Sequence, residues 1–386
     1  MQLTSRESQN YIAVSADLAQ EFARTAIERD KKGGTPKYER TRLRQSGLLK
    51  LIIPKEYGGL GESWSTALTI IREFAYVDSS IAHLLGYHYL QVITPHLYGT
   101  SEQKQNYYLW TVENNWFWGN ALNPRDNRLV LTYDGENYWL NGTKSFCSGS
   151  SDSDMLTVSA FPEGKSQPVV IAVPTRSHGV TVNHDWDNIG QRQTDSGSVS
   201  FSNVRVKKSE ILASEFRSSP FASLRIYISH LVRVNILLGI ALGAFEQAKQ
   251  YTSTNQTTDA YILHSYGKLW TELSAVTYLT NQAADKFEIA WSKGIELQEV
   301  EFGEIALAIS AASVLTTKVG LEVTSQIFEL VGVEATAKQY GFDRYWRNLR
   351  TLTLHDPVTY KTREIGKWVL NGEWDDGRVG SAHHTK

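Results

Sequence analysis

The feature that most constrains the fold of this chain is a double change in hydrophobic period. Residues 64–115, through "STALTIIREFAYVDSSIAHLLGYHYLQVITPHLYG", space their apolar side chains three and four apart with few breakers, which predicts helices, as does the stretch 8–30. Between them, "LIIPKEYGGLGES" carries the proline and glycines of a loop. From about residue 116 the texture turns to short β-rich runs. "RLVLTYDGENYWLNGTKSF" places two such runs around Asp134-Gly135, a hairpin signal. "MLTVSAF" and "PVVIAVPT" are expected to pair across a Gly/Lys/Ser turn, and "GVTVNH" and "GSVSFSNVRV" follow at strand length. After about residue 214 the helical pattern returns in "RIYISHLVRVNILLGIALGAFEQAKQYT" and two further long segments. The expected class is therefore α+β: an N-terminal helical domain (1–115), a central small β-barrel or sandwich (116–213) and a C-terminal helical bundle (214–386).

Composition narrows the function. With 386 residues, 41% of them hydrophobic and 21% charged, the chain can bury a large core. A net charge of −2 argues against a nucleic-acid partner. No apolar run is read as approaching the roughly 18 residues that span a bilayer, so no membrane partner is expected. The opening "MQLTSRESQNYIAVSADLAQ" has no hydrophobic signal core, and a cytoplasmic address is expected. Cys147 is the single cysteine and the ten histidines are scattered, so no metal is expected. Eleven Trp and 19 Tyr suit a pocket for a flat, aromatic or sulfur-bearing ligand, although most must serve core and subunit interface.

Near the C-terminus, "TLTLHDPVTYK" sets His355-Asp356-Pro357 where a helix should continue. Pro357 restrains its predecessor and ends or kinks the helix, so His355 and Asp356 leave the helix surface at a break.

The order of the three regions, with "IPKEYGGLGES" (53–63) in the first, resembles the acyl-CoA dehydrogenase fold superfamily over nearly the whole chain. "FWGNALN" (117–123), "NGTKSFCSG" (141–149), "IGQRQTDSGS" (189–198) and "YGFDRYWRNLRTLTLHDPVTYK" (340–361) narrow the resemblance to its flavin-dependent monooxygenase branch, close to dibenzothiophene and sulfone monooxygenases. The resemblance implies a C-terminal four-helix bundle, a homotetramer, and reduced FMN delivered by a separate flavin reductase, with FAD as the alternative. It also implies insertion of one oxygen atom of O2 into a small sulfur- or nitrogen-containing molecule through a flavin C4a-hydroperoxide.

The same resemblance assigns residues. His355 is implied as the acid/base or peroxide-positioning group, since imidazole titrates near neutrality; the alternative is helix-end scaffolding. Ser148 and Phe146 are implied beside the flavin, against an ordinary Ser-Gly turn. Asn120 is implied to face the flavin, against an amide satisfied by backbone. His88, between Tyr87 and Tyr89, is implied as a pocket histidine, against a satisfied core residue. Trp186 is implied as a pocket wall, and Gln326 as a flavin contact across a subunit boundary. Cys147 reads as a buried filler, with no activator in sight.

Three departures sharpen the picture. Asp356 stands where the dehydrogenases place their catalytic Glu, one methylene shorter, which weakens proton abstraction from an acyl-CoA. In "QIFELVGVEA", Glu329 and Leu330 replace the paired glycines that let backbone approach the far end of FAD, which favours FMN. Asn255 and Gln256 lie where the family presents an arginine to the flavin phosphate. No G-x-G-x-x-G follows a strand and opens a helix, so a nicotinamide site has no visible home. The rival readings are an FAD-dependent acyl-CoA dehydrogenase and a non-catalytic binding protein on the same fold.

Overall fold

The computed structural model describes residues 6–213, 218–253 and 258–372. Asn255 and Gln256 lie outside the described residues.

Helix α1 (Arg6–Ala23), α2 (Ala26–Lys32) and α3 (Lys37–Ser46) lead into the glycine loop, then α4 (Trp64–Val77), α5 (Ser79–Val92), α6 (Thr94–Tyr98) and α7 (Ser101–Glu113). Side-chain caps start the central pair. Ser63 accepts from the Thr66 amide to begin α4, and Asp78 accepts from Ser80 and Ile81 to begin α5. Each such cap contributes about 1 kcal/mol. Unlike a surface helix, α5 is buried at every position, so no polar face exists to reveal which of its polar side chains serve a site.

Among the described residues eight strands follow: β1 (Trp118–Ala121), β2 (Leu129–Tyr133), β3 (Tyr138–Lys144), β4 (Met155–Pro162), β5 (Val169–Pro174), β6 (Val180–Val182), β7 (Val199–Val206) and β8 (Ile211–Leu212). The pairing runs β6-β7-β3-β2-β4-β5-β8, with β1 added in parallel to β4. β2 and β3 form the expected hairpin; Asp134 Oδ1 accepts from the amides of Glu136 and Asn137, and Gly135 takes φ 102°. β4 and β5 pair antiparallel, Met155 opposite Pro174. Gly142 sits at a register shift with φ 131°, where a Cβ would lie 2.0 Å from the Arg128 carbonyl.

The chain ends in α8 (Pro220–Ser253), α9 (Ala260–Lys293), α10 (Glu299–Val331), α11 (Asp343–Thr353) and α12 (Val358–Asn371). One apolar cluster joins both helical regions, from Leu18 and Phe74 to Ile240, Ile309 and Leu349, and a separate cluster fills the sheet. Contrary to the sequence reading of apolar runs, α8 and α10 are long and apolar enough by composition to cross a membrane. The window in α8 is 83% buried in the protein, which identifies it as a core helix. Its close approach to α5 runs through Gly86, where a Cβ would stand 2.7 Å from Val232 Cγ1.

Candidate active site

Four segments meet at one end of the α5–α8 seam: the turn after β3, the loop before β7, α5 itself and the break between α11 and α12. The turn is built first. Phe146 adopts φ 58°, in the left-handed region that non-glycine residues avoid, and Gly149 follows at φ 72°. Cys147 and Gly149 donate their amides to the carbonyls of Gly197 and Thr194, so the turn hangs on the 189–198 loop. Gln191 (φ 54°) and Asp195 (φ 46°) are left-handed there as well. Such conformations cost on the order of 1 kcal/mol or more each and cluster where a site is held in shape. Buried Arg40 donates to the Gly149 carbonyl from the far side, and Lys144 donates to the carbonyls of Asn123 and Asp126, tying the turn to the segment after β1.

This turn presents Ser148, 5% exposed. Its Oγ lies 3.0 Å from His83 Nε2 and 2.8 Å from Ser196 Oγ, which in turn lies 2.7 Å from Thr194 Oγ1. Thr194 donates to the Gln191 carbonyl at 2.9 Å. A carbonyl only accepts, so the direction of the chain follows: Ser196 donates to Thr194, Ser148 to Ser196, and His83 Nε2–H to Ser148. His83 thus carries a proton on Nε2, while its Nδ1 is buried and has no partner among the described residues. Burial, with His355 and Arg233 nearby, pushes its pKa down to about 3. Its ring stacks on Tyr87 at 3.9 Å, one turn along α5.

His355 stands where Pro357 starts α12, as the break in "TLTLHDPVTYK" predicts, and it is exposed. The Arg233 guanidinium beside it is the main cause holding its imidazole below the ordinary histidine range, with desolvation second. His355 and Arg233 both bear electrostatically on His83, which in turn reaches Ser148.

Asp356 does not face that space as a free carboxylate. His230 Nε2, Lys361 Nζ and Arg233 Nη2 lie 3.2, 2.7 and 3.5 Å from its Oδ2. Burial opposes its ionisation, but the His230 hydrogen bond and the two cations hold it well below the usual carboxylate range. Lys361 also donates to His230 Nδ1 at 3.1 Å, so His230 is neutral and its link to Asp356 is a hydrogen bond.

The remaining predicted residues divide. Asn120 donates its amide to the Ser148 carbonyl at 2.8 Å, and its Oδ1 accepts from Leu122, leaving Nδ2 with no partner among the described residues. Phe146 is 58% exposed and meets Trp186 edge-on at 6.2 Å, and Trp186 is pinned by its Nε1 donating to the Gln191 carbonyl. His88 requires a correction. It is fully buried, its Nε2 donates to the Leu49 carbonyl at 2.8 Å and its Nδ1 accepts the Trp118 amide at 3.1 Å. Both nitrogens are spent on backbone, so the residue is a core histidine, and the α5 histidine that reaches Ser148 is His83. Five residues separate the two, and on a helix that spacing points to different faces. Gln326 donates to Glu322 on its own helix and is not brought to this cluster within the protomer. Leu330 is in the core and Glu329 is exposed. Cys147 is buried, its thiol pushed up to about 12 by burial, consistent with an inert filler.

The arrangement suits a flat heteroaromatic with a hydrogen-bonding edge. Ser148 Oγ keeps a lone pair for an N–H, Asn120 Nδ2 is a donor without a partner among the described residues, and Phe146 with Trp186 offers aromatic surface. Sequence reasoning missed His83, Ser196, Thr194 and Arg233; the one visible signal was the four-residue step from His83 to Tyr87.

Comparison with known proteins shows the family. The family models of the acyl-CoA dehydrogenase N-terminal, middle and C-terminal domains match residues 7–112, 123–204 and 231–360. A probable FMNH2-dependent monooxygenase, SfnC of Pseudomonas putida, is 46% identical over 93% of this chain and 94% of its own. The solved structure of methanesulfinate monooxygenase MsuC from Pseudomonas fluorescens superposes with a TM-score of 0.92 at 46% identity, covering 97% of this chain and 98% of that one. Dibenzothiophene monooxygenase TdsC from Paenibacillus sp. A11-2 gives 0.91 at 38% identity over 95% and 98%. TdsC has also been solved with FMN and indole.

Proposed function

The chain belongs to the acyl-CoA dehydrogenase family, in its FMNH2-dependent monooxygenase branch, and we propose that it oxygenates a small sulfur compound in the space between Ser148, His83 and His355. The observation that carries this reading is the state of Asp356. An acyl-CoA dehydrogenase needs a free carboxylate to take a weakly acidic proton, and here that position is held by His230, Lys361 and Arg233. What borders the space instead is two neutral imidazoles and a hydroxyl.

Ser148, Asn120, Phe146 and Trp186 are the residues that would hold FMN, which when reduced supplies the electrons that activate O2. Ser148 Oγ offers an acceptor to the N–H of a reduced flavin, because its own proton is committed to Ser196. Uncharged His83 Nδ1 and His355 are placed to hold or pass a proton near the reacting atoms. The buried, stacked His83–Tyr87 pair closes the α5 side of the space to water.

The reduced flavin comes from a separate reductase, in keeping with the lack of a nicotinamide motif. Gln326 contributes to a flavin site across a homotetramer contact, a proposal supported by the exposed aromatics Tyr261, Trp270 and Tyr278 on α9. A cytoplasmic address accords with the lone, unpaired Cys147. The test is a reductase-coupled assay with a panel of sulfides, sulfones and sulfinates. Oxygenated product that requires reduced FMN is expected. Anaerobic bleaching of bound oxidised flavin by an acyl-CoA would refute the assignment.

A further inference from the structure

The seam between α5 and α8 buries a cation that has no counter-charge among the described residues. Arg225 is 6% exposed, yet its Nε donates to Thr94 Oγ1 at 3.0 Å and its Nη2 to Gln91 Oε1 at 3.4 Å, both neutral oxygens. Among the described residues no carboxylate lies within ion-pair distance of it. Buried Arg29 and Arg40, by contrast, each meet carboxylates. Arg344 also lacks one, but its two terminal nitrogens are taken up by the Val77 carbonyl, Gln247 and Tyr345. An unpaired buried guanidinium is costly, and burial lowers the pKa of Arg225 as that cost requires.

Two donors beside it are unspent. Gln91, 1% exposed, commits its Oε1 to Arg225, which leaves its buried Nε2 with no acceptor. Tyr87, 7% exposed, has no hydrogen-bond partner for its hydroxyl among the described residues. Tyr87 and Gln91 share one face of α5 with His83, at steps of four. The two helices run antiparallel along this seam, with Gln91 and Thr94 meeting Arg225 and Gly86 meeting Val232, one residue before Arg233. The unspent donors thus lead, through the stacked Tyr87, to His83 and the site.

We propose that Arg225, with Gln91 and Tyr87, holds the oxyanion head of a small organosulfur substrate, an alkanesulfinate, at the site between Ser148, His83 and His355. This rests on the monooxygenase reading and deepens it. A neutral sulfide or sulfone gives a buried guanidinium nothing to bind, and a sulfonate has no lone pair left on sulfur to oxidise. A sulfinate has both the anionic oxygens and the nucleophilic sulfur. The overall reaction balances: sulfinate, O2 and FMNH2 give sulfonate, FMN and water, with sulfur and flavin each losing two electrons and O2 taking four.

The test is calorimetric binding of methanesulfinate and of neutral dimethyl sulfone to the FMN-loaded protein. Arg225→Gln is expected to weaken methanesulfinate at least about tenfold, as loss of a charge-assisted contact does, with Arg225→Lys restoring part of it. Dimethyl sulfone and FMN affinities should change less than about twofold. Should Arg225→Gln fail to fold, Gln91→Glu replaces it. That change supplies the missing carboxylate from within, so it should raise Tm and exclude methanesulfinate. Unaltered sulfinate affinity in either variant, or no sulfinate binding by the parent protein, overturns the proposal. Reduced-FMN-dependent oxygenation of dibenzothiophene by the parent would then show that the monooxygenase reading stands while the oxyanion subsite falls.

Discussion

His83 and Ser148 meet at 3.0 Å where α5 reaches the β3 turn, and the direction of their hydrogen bond is set at the far end of a hydroxyl chain. Because Thr194 spends its proton on the Gln191 carbonyl, each hydroxyl back to Ser148 donates away from His83, and the imidazole must be the donor. A serine and a histidine at this distance suggest a nucleophile and its base. Here the proton runs the wrong way for that: His83 gives its hydrogen to Ser148 and cannot accept one there.

Removing this imidazole should therefore impair proton handling without emptying the flavin site. His83→Ala is expected to lower the rate of product formation by about a hundredfold, in the range of general acid–base contributions. FMN affinity, followed by flavin fluorescence, should fall far less, since Ser148 keeps its backbone bonds to Phe146 and Asn120.

His355→Ala should likewise reduce oxygenated product, by tenfold or more, with FMN affinity roughly intact. Steady turnover in this variant would remove His355 from the mechanism. Because Arg233 keeps the ring uncharged, activity of the parent protein should show no histidine titration between about pH 6 and 8.

His88 separates packing from chemistry. His88→Ala leaves the Trp118 amide and the Leu49 carbonyl unpaired in the core and should cost about 2–4 kcal/mol in denaturant unfolding. The fraction that stays folded should retain its turnover number. A loss of turnover without loss of stability would return His88 to the site.

Stability should fall on the acid side. His83, His88 and His230 are each pushed down to about 3 by burial, from an unfolded value near 6.5. The unfolded chain takes up these protons first, so their contribution is complete above about pH 6.5 and is lost as pH drops toward 3. Thermal melts should be flat from about pH 7 to 8 and decline progressively below about pH 6. Asp356, held low in the folded state, adds to the decline only below about pH 4, where the unfolded carboxylate takes up its proton while the folded one stays ionised.

The three-part order of helices, strands and helices was legible because each period is long and the switches are sharp. The break at Pro357 and the Asp134-Gly135 hairpin were equally legible, since proline and a left-handed glycine act locally. Of the proposed site, the residues that sequence singles out sit in turns, as Phe146, Ser148 and His355 do. In α5 the signal fails. Every position there is buried, so periodicity offers no contrast, and two histidines five apart look alike until their partners are known. His88 finds backbone; His83 finds Ser148. Arg233 and Arg225 were hidden in the same way, within a helix whose apolar character on all sides masks the polar seam it shares with α5. Hydroxyl chains such as Ser148–Ser196–Thr194 join residues 48 apart and leave no mark on spacing at all.

The most direct measurement is isotopic. The FMN-loaded protein, a flavin reductase and an organosulfur substrate are incubated under 18O2, alongside the Ser148→Phe variant, and product mass and FMN affinity are read together. One 18O atom per product molecule in the parent, with both label and FMN binding lost in Ser148→Phe, is the predicted result. Unlabelled product from the parent, or undiminished FMN binding with a phenyl ring at position 148, would contradict the account.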